Sequence, residues 1–108
     1  MRKVVFEADT LASIREFPGT ARLRVGYELD RLQRDLEPEN GKPFSSIGQG
    51  VLELRIQIGR QFRVIYVVKF AGYVHFLHLF DKKSQKTRDT DIAIAKQRLQ
   101  EVMRRCWQ

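Results

Sequence analysis

VLELRIQI-GR-QFRVIYVVKF-AG-YVHFLHLF, residues 51–80, is three strand-like runs divided by two glycine turns. In the first run Leu52, Leu54, Ile56 and Ile58 alternate with Glu53, Arg55 and Gln57, the period of a strand with one buried face. Gly59-Arg60 marks a hairpin turn. The second run, 61–70, is nearly continuous in apolar residues, as expected of a central strand covered on both faces. Ala71-Gly72 turns the chain again, and 73–80 forms the third strand. Short turns between consecutive strands predict an antiparallel meander.

Working outward, residues 3–7 are β-branched and aromatic and predict a first strand. Asp9 or Thr10 can cap a short helix that presents Leu11, Ile14 and Phe17 on one face, and Pro18-Gly19 stops it. A longer helix follows over 20–36, with Ala21, Val25, Leu29, Leu32 and Leu36 in one stripe. Gly26 weakens it by about 1 kcal/mol relative to Ala. Residues 37–50, rich in Pro and Gly, predict a loop of unusual length. After the meander comes a basic loop, 82–88, and a final helix, 89–105, with Ile92, Ala95, Leu99, Val102 or Met103, and Cys106 on one side. The order β-α-α-β-β-β-α defines an α+β domain spanning 1–108. It predicts an antiparallel sheet, a helical hairpin on one face and a C-terminal helix. The helices are expected mainly on one sheet face, leaving the other for polar side chains.

Composition narrows the chemistry. Of 108 residues 43% are hydrophobic, enough for a packed core and too many for a disordered chain. Twenty Lys plus Arg against thirteen Asp plus Glu leave +7, which favours an anionic partner, nucleic acid first. Arginine outnumbers lysine thirteen to seven, and its planar fork suits bidentate phosphate contact. The sole cysteine, Cys106, allows no intramolecular disulfide and is compatible with the cytosol. The start of the chain lacks a signal-peptide apolar region, and no apolar run approaches the length of a membrane span. The expected location is cytoplasmic.

The candidate site residues are basic and sit on or beside the meander. Arg55 and Arg63 flank the Gly59-Arg60 turn, and the turn decides whether they meet. A strict two-residue loop pairs Ile56 with Arg63 and puts Arg55 on the other side. A three-residue loop or a bulge brings the arginines together. Arg55 also reads as an ordinary exposed residue paired with Glu53. Arg63, inside an apolar strand, needs an ion pair or a ligand. Lys82, Lys83 and Lys86 follow the last strand and read either as a solvated turn or as a phosphate-binding edge. Phe80 is core by composition, or a platform for a base. His78 shares the face of Phe80, with His75 opposite; a lone strand histidine is more often structural. Two histidines and one cysteine cannot fill a structural zinc site without carboxylates. There is no phosphate-binding Walker loop, dinucleotide fingerprint or Ser/His/Asp constellation. Only Glu53 is a well-placed sheet carboxylate, too few for a two-metal nuclease. No metal and no cofactor are expected. RNA cleavage without metal needs cations around a phosphate and groups that move protons, and this set can supply them.

Phe17-Pro18, Gly48-Gln49-Gly50-Val51-Leu52-Glu53-Leu54-Arg55, Phe62-Arg63-Val64-Ile65-Tyr66, Phe80-Asp81-Lys82-Lys83-Ser84-Gln85-Lys86-Thr87 and Asp91-Ile92-Ala93-Ile94-Ala95-Lys96-Gln97-Arg98 together resemble the RelE/ParE toxin superfamily, nearest its phage-derived, HigB-like branch. The resemblance covers nearly the whole chain. It implies the toxin of a type II toxin–antitoxin system, an endoribonuclease that cleaves mRNA in the ribosomal A site without metal. It carries a transition-state arginine to Arg63, basic groups to Arg55 and Lys83, and an aromatic facing the A site to Phe80. Lys82 and Lys86 would help hold RNA. Many RelE-like members use a tyrosine near the C-terminus, and this chain ends Arg105-Cys106-Trp107-Gln108 without one. The proton-transfer group therefore stays open among Lys82, Lys83, His78 and Glu53. Implied partners are a cognate antitoxin of helix-turn-helix type, the ribosome and mRNA, with a toxin–antitoxin hetero-oligomer as the resting form. Two other readings fit the same fold: a ParE-like gyrase inhibitor, and a non-catalytic RNA- or protein-binding module.

Overall fold

The computed structural model describes residues 2–68 and 72–106. The elements are β1 (Lys3–Phe6), α1 (Thr10–Glu16), α2 (Gly19–Gln33), β2 (Gly41–Pro43), β3 (Val51–Ile58), β4 (Arg60–Val67), β5 (Tyr73–Lys82) and α3 (Asp89–Cys106). The five strands form one sheet in the order β1-β5-β4-β3-β2. The predicted meander is β3-β4-β5, antiparallel throughout. The predicted ends Lys69 and Phe70 and the turn residue Ala71 lie outside the described residues.

Five features depart from the sequence reading. The sheet is mixed, because β1 runs parallel to β5; the intervening helices and strands carry the chain round to lie beside its own start. The long loop contains β2, a short edge strand that pairs Lys42 with Glu53. The long helix stops at Gln33, where Asp35 takes φ 63°, so Leu36 lies outside the apolar stripe and is exposed. Structurally the most consequential, α3 does not join the other helices. Helices α1 and α2 cover one sheet face, where Phe17, Ala21, Val25 and Leu32 pack on Leu54, Ile56, Phe62, Val64, Tyr66 and Phe76. Helix α3 covers part of the other face, where Ala95, Leu99 and Val102 meet Val51, Ile65, Val67 and Leu77. Finally, β5 continues through Lys82, so that lysine is a strand residue and not a loop one.

From Val64 to Val67 strand β4 is continuous in apolar residues because both its faces are covered there, each large side chain contributing about 1.5–3 kcal/mol on burial. Asp9 precedes α1 without a side-chain cap bond; its carboxylate instead pairs with Arg98 of α3 at 2.9 Å. Glu28, fully buried on α2, accepts from the Glu39 backbone N–H at 2.9 Å and pairs with Arg24 at 3.3 Å. It thereby ties the chain before β2 to the helix.

One buried group sits uneasily in this core. The Tyr66 hydroxyl is buried with no hydrogen-bond partner among the described residues. Burial, aided by the negative charges of Glu37 and Glu28, pushes its ionisation well above the usual tyrosine range. An unbonded buried hydroxyl costs about 1–3 kcal/mol of desolvation. Tyr66→Phe is therefore expected to leave stability unchanged or raise it by up to about 1 kcal/mol. Denaturant unfolding measures this, and a loss above about 2 kcal/mol would mean that the hydroxyl holds a bond.

Candidate nucleic-acid interface

The hairpin register brings the two arginines together. Gln57 pairs with Gln61 and Ile58 with Arg60 around Gly59, whose φ of 71° suits a residue without Cβ. Arg55 is thus directly opposite Arg63. Arg63 is in turn opposite Phe80, and Gln61 opposite Lys82. The side chains on the α3 side of the sheet form three rows across the strands. Glu53, Ile65 and His78 make one, Arg55, Arg63 and Phe80 the next, and Gln57, Gln61 and Lys82 the last. Helix α3 and the segment around Ile47 cover the end beginning at Val51. The rows with the cations stay open enough to form two cavities.

Arg63 is the unusual member. Its side chain is only 7% exposed. One guanidinium nitrogen donates to the Phe62 carbonyl at 3.3 Å and another to Gln61 Oε1 at 3.1 Å. Its Nε has no hydrogen-bond partner among the described residues and lies 3.9 Å from Glu53 Oε2. Burial lowers its pKa, Glu53 opposes that shift and Arg55 reinforces it. An arginine stays charged through shifts of this kind, so a desolvated cation with unspent donors is held in the sheet. Glu53 is also buried; its Oε1 accepts from Arg55 Nε at 2.8 Å while Arg55 itself is half exposed. Like charges directly opposite on neighbouring strands are destabilising. One carboxylate among Arg55, Arg63 and Lys82 offsets that only in part, and an anion would complete the balance.

The remaining predicted residues divide. Lys82 and Lys83 line a cavity of about 760 Å³ with Arg60, Gln61, Ser84 and Gln85. Its one carboxylate, Asp81, is paired with Arg60 at 3.2 Å. Lys86 is exposed farther along the loop and lines neither cavity. Phe80 is 7% exposed and packs in the α3-side core, its ring stacked on His78 at 5.2 Å. Little of it is left to receive a base in this conformation. His78 Nε2 lies 2.7 Å from Asp91 Oδ1, and Nδ1 faces an Arg98 N–H at 3.5 Å. Arginine only donates, so Nδ1 accepts and Nε2–H donates to Asp91. Both ring nitrogens are used within the protein, and His78 serves as a buttress for Phe80.

Strand alternation put His75 opposite His78, yet both face α3. A bulge in β5 explains it: Ile65 pairs with His78 but Tyr66 with Phe76, leaving Leu77 as the extra residue. Arg98 donates to the Leu77 carbonyl at 2.8 Å, serving the backbone there. His75 pairs with Glu7 at 2.9 Å, and Glu7 with Arg105. Sequence reasoning missed Gln61, although its position two residues from Arg63 on a strand already placed it on the same face. It missed Lys42, Asn40 and Arg24 because no local pattern brings β2 and α2 beside Arg55. Among the described residues no group of three or more His, Cys, Asp or Glu is arranged to hold a metal ion. Nor is any described helix long and apolar enough to cross a membrane.

A mixed five-stranded sheet with two helices on one face and a C-terminal helix on the other is consistent with a RelE-like fold. The sequence matches the family model "Phage derived protein Gp49-like (DUF891)" over residues 12–100, and the chain belongs to that toxin-like family. No curated protein matches it in sequence.

Proposed function

We propose that the protein is the toxin of a type II toxin–antitoxin system, of the HigB-like branch, and that it cleaves mRNA on the ribosome. The observation that carries this is Arg63, buried and incompletely hydrogen-bonded beside an open face, with Arg55 opposite it. A phosphodiester there would satisfy the free N–H groups and the excess charge together.

In the reaction, the ribose 2′-oxygen attacks the adjacent phosphorus as its proton passes to a base. The 5′-oxygen leaves with a proton from an acid, giving a 2′,3′-cyclic phosphate and a 5′-hydroxyl. Arg63 and Arg55 meet the non-bridging oxygens, whose charge grows in the transition state. Glu53 is the base, since its Oε2 accepts no hydrogen bond among the described residues and lies 3.9 Å from Arg63 Nε, while Oε1 is held by Arg55. An ammonium of the Lys82–Lys83 pair supplies the proton to the leaving oxygen. The partner is a small antitoxin, of helix-turn-helix type by resemblance, that covers the basic face and stabilises the complex by mass action. Induced expression is expected to arrest growth, and primer extension to map cuts inside translated messages. Growth arrest with DNA damage and intact mRNA would instead indicate gyrase inhibition and overturn the reading.

A further inference from the structure

We infer that the notch at the β3 edge, between Lys42 of β2 and Arg24 of α2, is a second phosphate site that holds the RNA backbone beside the scissile linkage. The inference rests on the proposed RNA-cleaving function and extends it to the path of the substrate.

Strand β2 ends at Gly41 opposite Leu54, the Asn40 carbonyl still accepts from the Arg55 N–H at 3.0 Å, and beyond Arg55 the edge of β3 runs on open. The notch so formed has a volume of about 610 Å³ and is lined by Arg24, Asn40, Lys42, Arg55, Gln57 and Arg63 among others, with no carboxylate in its lining. It meets the lysine-lined cavity at Gln61, which borders both. From β5 to β2 is three strand spacings, about 14 Å, a continuous basic track crossing the sheet at right angles to the strands. Arg63 and Arg55 lie in its middle.

The two ends of the notch differ in kind. Arg24 is fixed by Glu39 at 2.6 Å and by buried Glu28 at 3.3 Å, so its charge is already matched and it acts as a rigid wall. Lys42 is exposed, faces the Glu53 row and has no ion pair among the described residues. It is therefore the unmatched charge that a phosphate would find. Amide side chains from Asn40, Gln57 and Gln61 suit a ligand with many acceptor oxygens, and the direct continuity with Arg63 favours RNA over an acidic polypeptide.

The test is equilibrium binding of a 2′-O-methylated single-stranded oligoribonucleotide, which cannot be cleaved, across a salt series. Each phosphate contact to a single strand contributes about 0.7 to the slope of log affinity against log salt. Lys42→Gln is expected to reduce that slope by about 0.7, while Lys96→Gln, the same charge change on exposed α3, leaves it unchanged. Equal slopes in the two variants, with wild-type binding intact, would overturn the notch and leave the cleavage site standing. Absence of salt-dependent RNA binding by the wild type would overturn the notch, whereas the cleavage reading stands or falls on the primer-extension cuts. Weakened binding of polyglutamate by Lys42→Gln, without any change toward RNA, would assign the notch to an acidic protein and also overturn the inference.

Discussion

Arg63→Met should abolish cleavage without unfolding the protein. Loss of one preorganised donor to a developing oxyanion costs about 10²–10³ in rate, and Arg63 offers more than one. The side chain is buried, makes only two hydrogen bonds and leaves its Nε without one. Removing one partner of a buried ion pair ordinarily destabilises, but Glu53 keeps Arg55 at 2.8 Å, and Met removes both the desolvation of Arg63 and its opposition to Arg55, so the effects offset one another. The expected result is thus a separation: melting temperature near the wild-type value, with RNA cuts and growth arrest lost. Arg63→Lys keeps the charge but not the fork and should recover only part of the activity. Cleavage by Arg63→Met within threefold of wild type would remove Arg63 from the mechanism.

Glu53→Gln should be nearly as severe. The substitution preserves shape and can still accept from Arg55, so the arginines keep a partner. What it removes is the ability to take a proton. General-base catalysis is worth about 10²–10⁴ in rate, and a loss of that size is expected. If Glu53 only balanced charge, the variant would lose stability instead, because two opposed arginines would face each other without a carboxylate. Measuring turnover against pH separates the two roles. A carboxylate base imposes a fall in rate on acidification, and that limb should vanish in Glu53→Gln. A variant with full turnover and a lowered melting temperature would return the base to the lysines, since His78 has both nitrogens engaged.

The arginine pair shows how far local pattern reaches. Alternation in 51–58 showed that Glu53 and Arg55 share a face, and the apolar run around Arg63 showed that this arginine was out of place there. Neither could say that they meet. A hairpin that closes one residue differently exchanges the faces of a whole strand, and a glycine at a turn permits either closure. The same limit explains His75. A bulge adds a residue to β5 without leaving any composition signal, since Leu77 looks like every other apolar residue of that strand. The family resemblance pointed to the same basic residues, but it could not reveal that Phe80 is packed under α3.

By itself the sequence determined every element but β2, the order of those elements, the central position of β4 and the identity of the basic residues. These follow from side-chain period and composition, which act within a few residues of one another. Only the tertiary structure decided that β1 lies parallel to β5, that α3 takes the opposite sheet face from α1 and α2, and that Arg24 and Lys42 come to stand beside Arg55. An amphipathic helix buries its apolar stripe equally well on either side of a two-faced sheet, so no local rule selects the side. Covering one end of that second face with α3, and leaving the rest to arginine and lysine, is what turns a set of scattered cations into a groove.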